Sequence, residues 1–161
     1  ASVTAMLWRE VMVRSESARA GGGGAGPGFP GSCGVQTHMT NSRLTDPEIL
    51  EQRFPVRLER FGFRPGSGGA GRWPGGDGLV REFRFLEPMT AALLSGSRLV
   101  APFGLEGGGD GAAGCAVLTR ADGSCEQLQG CAQLEVRPED RLLIETPGGG
   151  GWGAPDEQAH H

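Results

Sequence analysis

Alternation of apolar and polar positions organises the second half of the chain. Along Ala132 to Arg137, Ala132, Leu134 and Val136 alternate with Gln133, Glu135 and Arg137, the period-two pattern of a strand with one face on a core. Val56 and Leu58 alternate in the same way with Arg57 and Glu59 just after Pro55, so a half-buried strand is predicted there too. Further strands are predicted at Leu79 to Leu86, Thr90 to Leu94, Cys115 to Arg120, Ser124 to Gln129 and Arg141 to Thr146. Asp122-Gly123 predicts a tight hairpin through a type I′ turn, which needs positive φ at both central residues. Met6 to Val13 is an apolar run broken by Arg9-Glu10, and its periodicity leaves a buried strand and a short helix both open.

One helix has a clear start. In Thr45-Asp46-Pro47-Glu48, Asp46 can cap the free N–H groups, Pro47 fits the first helical position, and Thr45 with Glu48 permits a capping box. Pro55 requires the helix to end by Phe54.

Glycine and proline supply 30 and 11 residues, so 41 of 161, about a quarter of the chain and near the composition of disordered segments. Position argues otherwise. The glycines fall mainly into four clusters, Gly21 to Gly34, Gly66 to Gly78, Gly104 to Gly114 and Gly148 to Gly153, with patterned segments between them. This predicts strands joined by glycine loops, with the Gly21 to Gly28 run either a close backbone approach or a flexible linker. The expected fold class is β-rich α+β: a glycine-loop segment with one short helix, followed by a small antiparallel β unit. Hydrophobic residues make up 37%, so the core should be thin and the stability marginal.

All 15 basic residues are arginines, scattered along a chain of net charge -4. No basic stripe exists to hold nucleic acid, and no apolar run reaches the length of about 20 residues needed to span a bilayer. The four cysteines, Cys33, Cys115, Cys125 and Cys131, lack C-x-x-C spacing and neighbouring histidines. Reduced thiols in a cytoplasmic protein are expected, although the predicted hairpin could bring Cys115 near Cys131.

The densest polar chemistry lies in Thr37-His38-Met39-Thr40-Asn41-Ser42-Arg43, just before the predicted helix N-terminus, a place suited to a carboxylate or phosphate group. His38 can serve as proton shuttle or metal ligand, or as a hydrogen-bonded structural residue. Asn41 and Arg43 can orient a substrate or fix the loop. The Gly66 to Gly78 run looks like a phosphate loop, but the chain contains no lysine for a Walker A motif. A glycine-rich connection with Asp77 in a turn is the better reading.

The run from Thr37 to Glu51 resembles the hydantoinase B / 5-oxoprolinase family. Arg64-Pro65-Gly66-Ser67-Gly68-Gly69-Ala70-Gly71, Gly75-Gly76-Asp77-Gly78, Pro102-Phe103-Gly104-Leu105 and Thr146-Pro147-Gly148-Gly149-Gly150-Gly151-Trp152-Gly153 follow in the family's order. The resemblance implies three segments: a divergent stretch over 1–20, the C-terminal part of a hydantoinase B domain over 21–153, and a tail over 154–161. It also implies a fragment of an ATP-dependent cyclic-amide hydrolase, best matched to a 5-oxoprolinase that opens 5-oxoproline to glutamate. A fragment of this kind is expected to be inactive alone.

In such a system an actin-like, hydantoinase A-type ATPase region phosphorylates the amide oxygen, using ATP and Mg, and the hydantoinase B region opens the ring. By the resemblance, His38 is the catalytic candidate and tentative ligand of a second divalent metal, while Thr37, Thr40, Asn41 and Arg43 bind substrate. The family's upstream acidic and His motifs, the better metal-ligand candidates, are absent from these residues. An oligomeric assembly is expected. The alternatives are an N-methylhydantoinase or ketone carboxylase relative, and a non-catalytic β module that only binds a partner chain.

Overall fold

The computed structural model describes residues 10–11, 20–36, 46–94, 100–128 and 131–155. Among the described residues, ten short strands and one helix follow in the order β1 (Glu10–Val11), β2 (Ala20–Gly21), β3 (Val35–Gln36), α1 (Pro47–Arg53), β4 (Val56–Arg64), β5 (Gly78–Phe85), β6 (Met89–Leu94), β7 (Cys115–Thr119), β8 (Cys125–Gln127), β9 (Cys131–Val136) and β10 (Arg141–Glu145). A five-stranded antiparallel sheet has the order β4-β5-β10-β7-β8. A three-stranded sheet, β1-β6-β9, combines a parallel β1–β6 pair with an antiparallel β6–β9 pair. The β-rich class, the single short helix and the antiparallel unit thus match expectation.

The predicted alternation builds the core between these sheets. Phe83 and Phe85 of β5, Ala116 and Leu118 of β7 and Leu142 and Ile144 of β10 are buried together with Met89, Ala91 and Leu93 of β6 and Leu134 and Val136 of β9. Each fully buried Leu or Phe contributes about 1.5–3 kcal/mol. Helix α1 starts as predicted, with the Asp46 side chain accepting from Glu48 N and Pro47 in the first turn. It buries no residue fully, and Leu50 packs on the core at its margin.

The Asp122-Gly123 hairpin uses a different turn from the expected one. Of its residues only Gly123 has positive φ, 86°. Gly123 N donates to Arg120 O and Arg120 N donates to Ser124 O. Those bonds enclose three residues, 121–123, the type I turn plus glycine that a three-residue loop adopts. Strand β8 is correspondingly short and exposed along its length.

The glycine clusters are neither linkers nor ordinary loops. Gly148 N and Gly151 N donate to Ala112 O and Gly109 O of one neighbouring segment, while Gly149 N and Trp152 N donate to Gly76 O and Trp73 O of another. Every third amide therefore faces the same neighbour, the threefold repeat of an extended polyproline II-type backbone. Here its amides and carbonyls bond between segments. A Cβ at Gly148 would collide with Ser67 O, and one at Gly151 with Ala70 O. Residues 148–151 form a buried axis around which the other glycine runs pack, so glycine is required there by proximity, not by flexibility.

Candidate functional site

The segment that carries the predicted chemistry is held at both ends. Gly34 N donates to Asp77 O at 2.9 Å, and Gly34 packs against Leu79 and Phe63 with a φ of +61°. Strand β3 then pairs with β2. On the far side, Leu50 N donates to Asp46 O at 3.0 Å, and Glu51 Oε1 accepts from Leu58 N at 2.9 Å, tying α1 to β4. Thr37, His38, Thr40, Asn41 and Arg43 lie outside the described residues. Their two flanks are fixed near opposite ends of β4, at Phe63 and at Leu58, with Phe61 between them in the strand. The helix end offers little to an anion, since α1 has seven residues and the Asp46 carboxylate already takes the Glu48 amide.

Beside Phe61, in register on β5, stands Arg81. It is 7% exposed, and its guanidinium faces the Phe61 ring at 4.8 Å and the Phe83 ring at 5.7 Å. Its Nε is buried without a hydrogen-bond partner. Burial pushes its pKa below the ordinary arginine value, as removing a charge from water must. On the same two strands, Arg84 forms an ion pair, its Nε 2.8 Å from Glu59 Oε1 at the bulge between Leu58 and Arg60, and Arg64 lies 3.1 Å from Glu145. The sequence carried a signal for Arg81 that strand prediction passes over. Leu79, Phe83 and Phe85 occupy the apolar phase of β5, and Arg81 stands in that same phase.

A polar latch joins the glycine bundle to the sheet. Asp77 Oδ1 accepts from Ser67 N and Gly68 N at 2.9 Å each. Ser67 Oγ donates to Arg64 O at 2.7 Å and accepts from Gly78 N at 2.8 Å. Thr146 Oγ1 accepts from Leu79 N at 2.7 Å, and Cys33 Sγ accepts from Asp77 N at 3.1 Å. Gly69 N, Gly75 N and Gly76 N bond to carbonyls of the bundle. The amides that a phosphate loop would present are used internally, and Asp77 organises them as a turn residue does.

Cys33 and Cys125 are free thiols. In the backbone registers Cys115 pairs with Glu145 in the five-stranded sheet and Cys131 with Leu94 in the other. The Cys115 thiol donates to Glu145 Oε2 at 3.2 Å. Among the described residues no group of three or more His, Cys, Asp or Glu could hold a metal ion, and no helix is long and apolar enough to cross a membrane.

Comparison with known proteins places this architecture. A family model described as Hydantoinase B/oxoprolinase matches residues 4–155. The 5-oxoprolinase 1 of Arabidopsis thaliana is 51% identical over 134 residues, which is 83% of this chain and 11% of that protein. The 5-oxoprolinase of Dictyostelium discoideum is 44% identical over 137 residues, 85% of this chain and 11% of that protein. Among solved structures, the ATP-dependent caprolactamase from Pseudomonas jessenii is similar with a TM-score of 0.64 at 26% identity, over 83% of this chain and 24% of that one. Nucleotide-free acetone carboxylase shares the fold with a TM-score of 0.66 at 18% identity, over 85% of this chain and 23% of that one. The chain is a β-rich module built on a glycine-packed bundle. It belongs to the hydantoinase B/oxoprolinase family, and it spans 11% of the length of these 5-oxoprolinases.

Proposed function

We propose that this chain forms one wall of the ring-opening site of an ATP-dependent cyclic-amide hydrolase of the 5-oxoprolinase type. The observation that carries the reading is the block over 37–45, which holds His38, Asn41 and Arg43 and is anchored at both flanks by β3 and α1. Two relatives that share more than four-fifths of this chain are named 5-oxoprolinases. In the proposed reaction, an actin-like ATPase region of hydantoinase A type uses ATP with Mg to phosphorylate the lactam oxygen. Two waters then complete the conversion of 5-oxoproline to glutamate, with ADP and phosphate released.

In this scheme His38 takes the proton from the attacking water, or ligates a second divalent metal that does the same work. Thr37, Thr40 and Asn41 bond the ring amide and Arg43 holds negative charge. The setting is cytosolic and the assembly oligomeric. The test is ATP-dependent glutamate formation by the full-length polypeptide carrying His38→Ala. The expected result is a kcat lower by about 10²–10⁴-fold. Unchanged kcat removes His38 from the site and leaves the segment a structural role.

A further inference from the structure

Asp77 stands where three described segments meet. Its Oδ1 accepts from Ser67 N and Gly68 N at 2.9 Å each, so the carboxylate fixes its own backbone against the turn at 67–68. That backbone is turned toward residues 31–34. Gly34 N donates to Asp77 O at 2.9 Å and Gly31 N donates to Pro74 O at 2.8 Å, while Asp77 N donates to Cys33 Sγ at 3.1 Å. A Cβ at Gly76 would collide with Ser32 O, so the two runs lie backbone against backbone.

Both backbone polar groups of Asp77 therefore hold Cys33 and Gly34, and its side chain holds a different segment. Strand β3 follows at once: Gly34 enters it with a φ of +61°, and Val35 pairs with Gly21. These contacts set the direction in which the chain leaves the glycine bundle, and Gln36 stands two positions before His38. Hydrogen bonds to a charged acceptor are about twice as strong as those to a neutral one. A carboxylate at this junction is thus a stiffer anchor than a neutral turn residue.

We propose that Asp77 is a positioning residue for the ring-opening reaction, its carboxylate holding residues 33–36 in the placement that aims the chain beyond them. This rests on the reading that the block over 37–45 lines the ring-opening site.

Asp140 supplies the comparison that separates positioning from folding. It too is a carboxylate that accepts from several donors, Arg137 N, Ala121 N and Arg120 Nη1. It lies at the opposite end of β5, where Phe85 N donates to Asp140 O, whereas Asp77 precedes Gly78, the first residue of that strand.

The test is kcat per folded molecule for 5-oxoproline, in the full-length enzyme with its ATPase region. Asp77→Ala is expected to lower kcat by about 100-fold, the cost of misplacing a reacting group by about 1 Å. Asp77→Asn keeps an acceptor oxygen without the charge, and is expected to recover part of that and lose about tenfold. Asp140→Asn is expected to stay within about twofold, because distant sites act independently. If Asp77→Ala does not fold, the two Asn variants decide the matter.

Equal kcat in the two Asn variants, with His38→Ala still impaired, overturns this proposal alone and leaves Asp77 a structural residue. A wild-type enzyme that opens no cyclic amide overturns the functional reading, and this proposal with it.

Discussion

Asp140 shows how one side chain fixes a junction. It is 1% exposed and accepts from Arg137 N at 3.0 Å, Ala121 N at 3.0 Å and Arg120 Nη1 at 2.9 Å. Burial alone would raise its pKa, but the bonds from Arg137, Arg120 and Ala121 outweigh it and hold the carboxyl below the ordinary value. A folded pKa below the unfolded one means stabilisation that is complete above the ordinary carboxylate range and is lost as pH falls through the folded value. Asp140→Asn should therefore destabilise by about 3 kcal/mol at pH 7. The gap between variant and wild type in urea midpoint should close as pH drops below about 4. A gap independent of pH would contradict this account.

Little of that junction was legible in advance, because Asp140 reads as one more polar turn residue beside Glu139 until three separate donors converge on it. Arg81 was half legible: its place in the apolar phase of β5 was visible, but its two rings come from β4 and β5 and only the fold joins them. The candidate residues Thr37 to Arg43 were found by composition and by family pattern, and only their flanks are described here.

Elements with local causes were read well. The α1 start depends on Asp46 and Pro47, and the core strands on alternation, so both were visible in short windows. The hairpin at Asp122-Gly123 was placed correctly but given the wrong turn, since Ala121 joins the loop. Close backbone approach was one of the two readings of the Gly21 to Gly28 run, and Gly22, whose Cβ would collide with Gly76 O, follows it; the threefold repeat could not be read, because it is formed by residues without side chains and its contacts join distant segments. Two substitutions separate packing from flexibility. Gly151→Ala should destabilise by about 3 kcal/mol or more, because its Cβ would meet Ala70 O in a tightly packed interior. Gly62→Ala, where a Cβ meets nothing within 4 Å, should be neutral or stabilising by up to about 1 kcal/mol. Thermal melts that show equal effects would argue that the bundle is loosely packed.

At the scale of the whole molecule, large apolar side chains remain uncovered. Phe103 is 70% exposed, Val100 73% and Phe63 58%, on a chain that spans 11% of its 5-oxoprolinase relatives. Exposed apolar area of this kind marks contact surfaces. Hydrogen exchange around Phe63 and Phe103 should slow when the remaining hydantoinase B region is added, and unchanged exchange would place that contact elsewhere. The most direct test of the central claim is ATP-dependent glutamate release from 5-oxoproline by the ATPase region and the remaining hydantoinase B region, with and without this chain. Turnover that requires the chain is the predicted result; equal turnover in its absence would contradict a role in the ring-opening site.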